Sequence, residues 1–128
     1  MASANCVINA ARAGKPLKVV DDQIGSPTFT HDLADATLNL IDASATGIYH
    51  VVNSGQASWH DFTAAILDEF GLKTELSRTT SADWKRQRPN SAVRPAYSVL
   101  DTTKYTQATG KPIRNWREAL AAYHQVGP

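Results

Sequence analysis

A chain of 128 residues, 42% hydrophobic and 20% charged, can bury one real core, which excludes a disordered tail and predicts a single domain over residues 1–128. A net charge of +1 excludes the broad basic field of a nonspecific nucleic-acid binder, and a lone cysteine, Cys6, excludes an internal disulfide or thiolate metal cluster. Four scattered histidines lack metal-ligand spacing, no apolar run approaches the roughly 20 residues of a membrane span, and no signal peptide opens the chain; a soluble, cytoplasmic protein is expected.

In chain order, Ser3 to Ala13 reads as a helix with Cys6, Val7, Ala10 and Ala11 on one side, closed by Gly14 and Pro16. Leu17–Gln23 is rich in aliphatic and β-branched residues and predicts a strand, followed by a turn at Gly25–Thr28. Thr30 caps the next helix, with Leu33, Thr37, Leu40 and Ile41 at helical spacing. Gly47–Val52 predicts a second strand. Ser58 and Asp61 form a capping pair for a helix whose Trp59, Phe62, Ile66 and Phe70 mark a core face. Thr74–Thr79 predicts a third strand and Ala82–Gln87 a short helical turn capped by Ser81. Asp101 caps a helix to Ala108, and Asn115 with Glu118 caps the last one, with Trp116, Leu120 and Tyr123 inward. Strands alternating with helices indicate α/β or α+β layering.

The charge is unevenly spread. Residues 1–77 hold four Lys/Arg against nine Asp/Glu, a net of −5, whereas residues 78–128 hold nine against three, a net of +6. A basic half inside a balanced total suits a localised anionic ligand. Within that half lie two Arg-Pro pairs, Arg88-Pro89 and Arg94-Pro95. Each proline pushes the arginine before it towards an extended conformation, from which a guanidinium can grip phosphate or carboxylate with two parallel hydrogen bonds. The same residues also fit a solvated surface loop, and the segment by itself leaves both open.

Catalytic chemistry is missing. The seven glycines form no G-x-x-G-x-x-G or G-x-G-x-x-G turn for a dinucleotide pyrophosphate. The residues four after Tyr49, Tyr97, Tyr105 and Tyr123 are Asn53, Asp101, Thr109 and Gly127, so no Tyr-x-x-x-Lys pair exists. Gly-x-Ser-x-Gly is absent, and Asp21 and Asp22, adjacent in a predicted strand, would face opposite ways. The chain reads as a binding half and not as a catalyst.

Four runs stand in a telling order: VVDDQIGSPTFTHDLADATLNLI, GIYHVVNSGQASWHDFTAAI, RPAYSVLDTTKY and NWREAL. Together they closely resemble the C-terminal part of dTDP-4-dehydrorhamnose reductases. Those are extended short-chain dehydrogenase/reductases that use NADPH or NADH to make dTDP-L-rhamnose for bacterial surface polysaccharides. The likeness runs from about Asn5 to Leu120 and covers less than half of the family's length. It implies an α/β fold (α+β in the isolated fragment) of few strands and about five helices, without the cofactor-binding Rossmann portion. It further implies the substrate-binding part of the enzyme, inactive alone and with no catalytic or cofactor-binding residue of its own: a fragment, or one half of a split enzyme.

By the same resemblance, Val19–Thr28 walls the sugar-nucleotide pocket, with Gln23 and Thr28 as its polar contacts. Arg94 matches the family's arginine near the substrate diphosphate, and Ser98 the serine that follows it, which can serve to steady the loop. His60 replaces a frequent aromatic residue, with an effect on packing only. The implied partners are a dTDP-sugar and a separate N-terminal cofactor-binding half, or self-association through an edge exposed at Ile48–Val52. The alternative is a non-catalytic regulatory module, since the regulatory subunit of methionine adenosyltransferase resembles the same reductases.

Overall fold

The computed structural model describes residues 2–127, with side chains from residue 4 onward. The parallel pair β1 (Leu17–Val20) and β4 (Leu76–Thr79) forms its floor, with Leu17 opposite Leu76 and Val20 opposite Thr79. Parallel strands require a long crossover. Here residues 21–75 supply it, carrying β2 (Ile24–Gly25), α2 (Thr30–Asp42), β3 (Ala57–Ser58) and α3 (Trp59–Glu69). β2 and β3 pair antiparallel, Ile24 opposite Ser58. With α1 (Ala2–Arg12), α4 (Ser81–Gln87), α5 (Thr103–Thr109) and α6 (Trp116–Val126) the described residues hold six helices, in keeping with the about five expected.

The core lies where α3 meets α1 and α6. Phe62 and Ile66 of α3 pack with Ala4 and Ile8 of α1 and with Trp116, Ala119, Leu120 and Tyr123 of α6. Phe62 meets Trp116 edge-on at 5.8 Å, and Phe29 meets Tyr123 likewise at 5.8 Å, geometries that suit the aromatic quadrupole. Local chemistry ends these helices as the residues dictate. Gly14 at φ +65° lets Gly14 and Lys15 donate back to Ala11 and Ala10, closing α1 in a Schellman turn. The full capping box, Asn115 with Glu118, opens α6, and Ser58 accepts from the Asp61 amide at the start of α3.

Several expectations need correction. The buried stripe of α1 is Ala4, Ile8 and Ala11, while Cys6 is exposed. β1 stops at Val20, because Asp21 and Asp22 turn to meet Arg78 and Ser81 on the neighbouring segment. Thr30 lies inside α2, whose N-cap is Phe29, and only Ala36 of that helix is buried. Of the four residues at helical spacing, Leu33, Thr37 and Ile41 are exposed and Leu40 is half-buried. Gly47–Val52 forms no strand: among the described residues no other strand lies alongside to complete a ladder, and Ile48 is 79% exposed. The caps of α4 and α5 sit one residue away from the expected ones, at Thr80 and Thr102, although Asp101 still accepts from the Thr103 amide at 2.8 Å.

Gly55 illustrates how tightly the loop before β3 is held. Its φ is +83°, and a Cβ there would lie 2.7 Å from Asn115 Nδ2 and 3.1 Å from the Trp116 ring. Asn115 cannot simply swing aside, because its side chain caps α6. Gly55→Ala should therefore destabilise the fold by about 2 kcal/mol through strain and displaced packing. Urea unfolding reads this directly, and a loss below about 0.5 kcal/mol would mean that the loop relaxes freely.

Candidate functional site

A two-residue strand organises the site. On one edge, β2 pairs with β3, and Trp59 N donates to Gln23 O at 3.3 Å. On the other edge, Ile24 N donates to Ala96 O at 2.8 Å, while Ile24 O accepts from Ser98 N at 2.8 Å and from Ser98 Oγ at 3.1 Å. Residues 23–25 thus clamp the segment Arg94–Ser98 beside the start of α3. Gly25 permits the close approach, since a Cβ there would come within 3.2 Å of Ser98 Oγ.

Two clefts open around this clamp, each with a volume of about 630 Å³, within the range of small-molecule sites. The first is walled by Val19, Val20, Trp59 and Trp84, with Lys18 and Lys85 also lining it. Hydroxyl groups dominate the polar lining of the second, from Ser26, Thr28, Ser58 and Ser98. Gln23, Trp59 and Arg94 line both. Arg94 has no carboxylate within ion-pair distance among the described residues, so its charge is available to a ligand. The loop before it is stapled by Lys85, whose Nζ donates to Pro89 O at 2.7 Å and Ser91 O at 2.5 Å. Arg88 is used differently, lying 3.9 Å over the Trp84 ring.

All four residues expected to contact substrate border the second cleft, and Gln23 and Arg94 border the first as well. Ser98 spends its proton on Ile24 O and so holds the arginine loop. Thr28 is mostly engaged too, donating to Ser26 O at 3.0 Å and accepting from Asn53 N at 3.3 Å. Trp59 corrects the sequence reading, because it is 46% exposed at the junction of the clefts and is not a core residue. As the first residue of α3, it falls at the helix end facing the cleft instead of on the inward face. Sequence reasoning missed Trp84 and Lys85, although Trp84 and Arg88 at i,i+4 on a short helix signal a stacked pair.

Asn53, in the loop before β3, is wholly buried and braces the site from behind. Its Oδ1 accepts from Phe29 N at 2.8 Å, and its Nδ2 donates to Asp32 Oδ2 at 2.6 Å and to Arg114 O at 3.3 Å. Asp32 in turn receives a forked pair of hydrogen bonds from Arg114, which raises the guanidinium pKa above its ordinary value.

At the other end of the site Asp22 holds the first residue of α4, accepting from Ser81 N at 2.9 Å and from Ser81 Oγ at 2.7 Å. These bonds to the Ser81 side chain and backbone hold the Asp22 carboxyl below the usual carboxylate range. A depressed folded pKa contributes stability that is complete above the unfolded value, about 3.9, and is lost as pH falls through the folded value. Asp22→Asn should therefore be less stable than wild type at pH 6, with the gap closing as pH falls below about 4. Urea unfolding at several pH values checks the convergence; parallel curves across that range would contradict it.

A dinucleotide does not fit the residues present. The turn from β4 into α4 is the place where a parallel strand pair would offer helix amides to a pyrophosphate. Here the Ser81 amide is taken by Asp22 and the Asp83 amide by Thr80 Oγ1. No glycine lies in that turn.

This architecture, six helices on few strands with a paired cleft, is the C-terminal part of an extended short-chain dehydrogenase/reductase fold. It superimposes on a dTDP-4-dehydrorhamnose reductase from Bacillus anthracis, solved in complex with NADP, with a TM-score of 0.89 and 27% identity over 97% of this chain and 43% of that one. The chain belongs to the RmlD substrate binding domain family, whose profile matches residues 3–126. It is 44% identical over 119 residues to the spore coat polysaccharide biosynthesis protein SpsK of Bacillus subtilis, covering 93% of this chain and 40% of that protein. It is also 41% identical over 105 residues to a dTDP-4-dehydrorhamnose reductase of Mycolicibacterium smegmatis, covering 81% of this chain and 31% of the relative. The chain thus spans well under half the length of these relatives. Among the described residues no helix is long and apolar enough to cross a membrane.

Proposed function

We propose that these residues form the ligand-gripping part of a dTDP-4-dehydrorhamnose reductase, working in the cytoplasm on a dTDP-linked 4-keto sugar. The observation that carries this reading is the meeting of an apolar, tryptophan-walled cleft with a hydroxyl-lined one at Arg94, a cation with no ion-pair partner among the described residues. A planar base suits the first, a sugar suits the second, and a diphosphate between them suits the guanidinium. Gln23, Thr28 and Ser98 contribute polar contacts or hold the walls. Reduction of the C4 carbonyl needs a hydride and a proton from groups that residues 1–128 do not carry; NADPH or NADH would supply the hydride in the complete enzyme. What these side chains do is bind the substrate and orient it.

Isothermal titration with dTDP-L-rhamnose is the test. Saturable binding that weakens as salt rises is expected of a diphosphate on an exposed arginine. Absence of binding up to millimolar nucleotide would defeat the reading and favour a regulatory module without a nucleotide ligand.

The exposed flank of α2 and the unpaired residues 48–52 support a docking role. Leu33, Leu38, Ile41 and Ile48 place apolar surface in water, and residues 48–52 have no ladder partner among the described residues. A separate cofactor-binding half would cover this face, and in its absence a second copy would. Light scattering after size exclusion should show dimers at high concentration, converted to monomers by Ile48→Lys. A strict monomer at every concentration would rule out self-association.

A further inference from the structure

Gln23 is the one neutral amide shared by both clefts, and its orientation is set by Ser81, which lines the first cleft, with Asp22 behind it outside both linings. The Ser81 hydroxyl lies 2.7 Å from Asp22 Oδ1 and 2.8 Å from Gln23 Nε2. A carboxylate can only accept, so the single hydroxyl proton of Ser81 goes to Asp22. That leaves Ser81 Oγ as an acceptor towards Gln23, and the group facing it must be the amide NH2. Gln23 Oε1 has no donor among the described residues. We propose that Asp22 and Ser81 are positioning residues that lock the Gln23 carboxamide with its carbonyl oxygen turned to the ligand, so that the site selects a ligand group that donates a hydrogen bond. This rests on the clefts being the nucleotide-sugar site. Within such a ligand the donor belongs either to the nucleoside, as the imide N–H of the base or the deoxyribose hydroxyl, or to the linked sugar as one of its hydroxyls.

The arrangement makes Ser81→Ala an unusually clean variant. The Ser81 backbone amide still donates to Asp22, so the hold on the first residue of α4 survives while the hydroxyl relay is cut. Ser81→Thr restores the hydroxyl. The lowering of the Asp22 pKa, set first by the bond from the Ser81 side chain, agrees with its role as the terminal acceptor.

The experiment has two readouts. In NMR, hydrogen exchange of the Gln23 side-chain amide should be slow in the wild type and in Ser81→Thr, and on the order of tenfold faster in Ser81→Ala. In titrations with dTDP and with dTDP-L-rhamnose, Ser81→Ala should bind about 3- to 10-fold more weakly, with Ser81→Thr close to wild type. Weakening of both ligands assigns the donor to the nucleoside they share, and weakening of dTDP-L-rhamnose alone assigns it to a rhamnose hydroxyl. Equal amide exchange in wild type and Ser81→Ala overturns the relay whether or not any ligand binds. A protected amide with Ser81→Ala affinity unchanged overturns the selection. A wild type that binds neither nucleotide defeats the nucleotide-sugar reading, and with it the selection, while the exchange data still decide the relay.

Discussion

Replacing Arg94 by alanine should weaken dTDP-L-rhamnose binding about tenfold, the loss of roughly 1.5 kcal/mol expected for an exposed charge-assisted contact. Thermal unfolding should stay within about 2 °C of wild type, because surface substitutions with no structural partner cost little. The asymmetry follows from geometry. Arg94 has no ion pair inside the described chain, so removing it leaves no buried group orphaned. The clamp that positions it works through the backbone of Ile24, Ala96 and Ser98, which alanine leaves intact. Arg94→Lys should recover only part of the affinity, since a point charge cannot reproduce a planar fork. Titration of the three proteins in low and high salt tests the idea. If Arg94→Ala binds like wild type, or binds more weakly with an unchanged salt dependence, the diphosphate does not sit on this residue.

The opposite pattern is expected at Asn53. Asn53→Ala should destabilise the fold by about 3 kcal/mol, lowering the unfolding midpoint by roughly 10 °C. The reason is what remains behind. Phe29 is buried, and without Asn53 Oδ1 its amide would have no acceptor, while Asp32 and the Arg114 carbonyl would lose a donor. Asn53→Asp would keep an acceptor for Phe29 but would set a second carboxylate against Asp32, and should be at least as unstable at neutral pH. Circular dichroism melts measure both. A loss under about 1 kcal/mol in Asn53→Ala would mean that water replaces the amide and that this brace is not needed.

Much of the local structure was legible because it depends on neighbours in sequence. The capping box of Asn115 and Glu118, the Ser58 cap and the glycines at 14 and 110 each act within a few residues, so the chain announces them. The family resemblance worked for a related reason: four motifs in order are hard to obtain by chance. The α2 face was misjudged because periodicity reveals that a helix has an apolar side, not what lies against it. Gly47–Val52 failed in the same way. A run of β-branched and aromatic residues becomes a strand only when a partner completes its hydrogen bonds, and no strand among the described residues does so.

Sequence by itself determined the end of α1, the starts of α3 and α6, the single core stripe of α6 and the arginine worth following. Tertiary structure decided which groups meet: that Gln23 and Arg94 share two clefts, that Trp59 belongs to a wall and not to the core, and that buried Asn53 joins Phe29, Asp32 and Arg114. The physical reason is range. Caps and turns are settled by bonds between near neighbours, whereas a cleft and a buried polar network consist of contacts between residues 21 to 82 apart, whose partners no local pattern names.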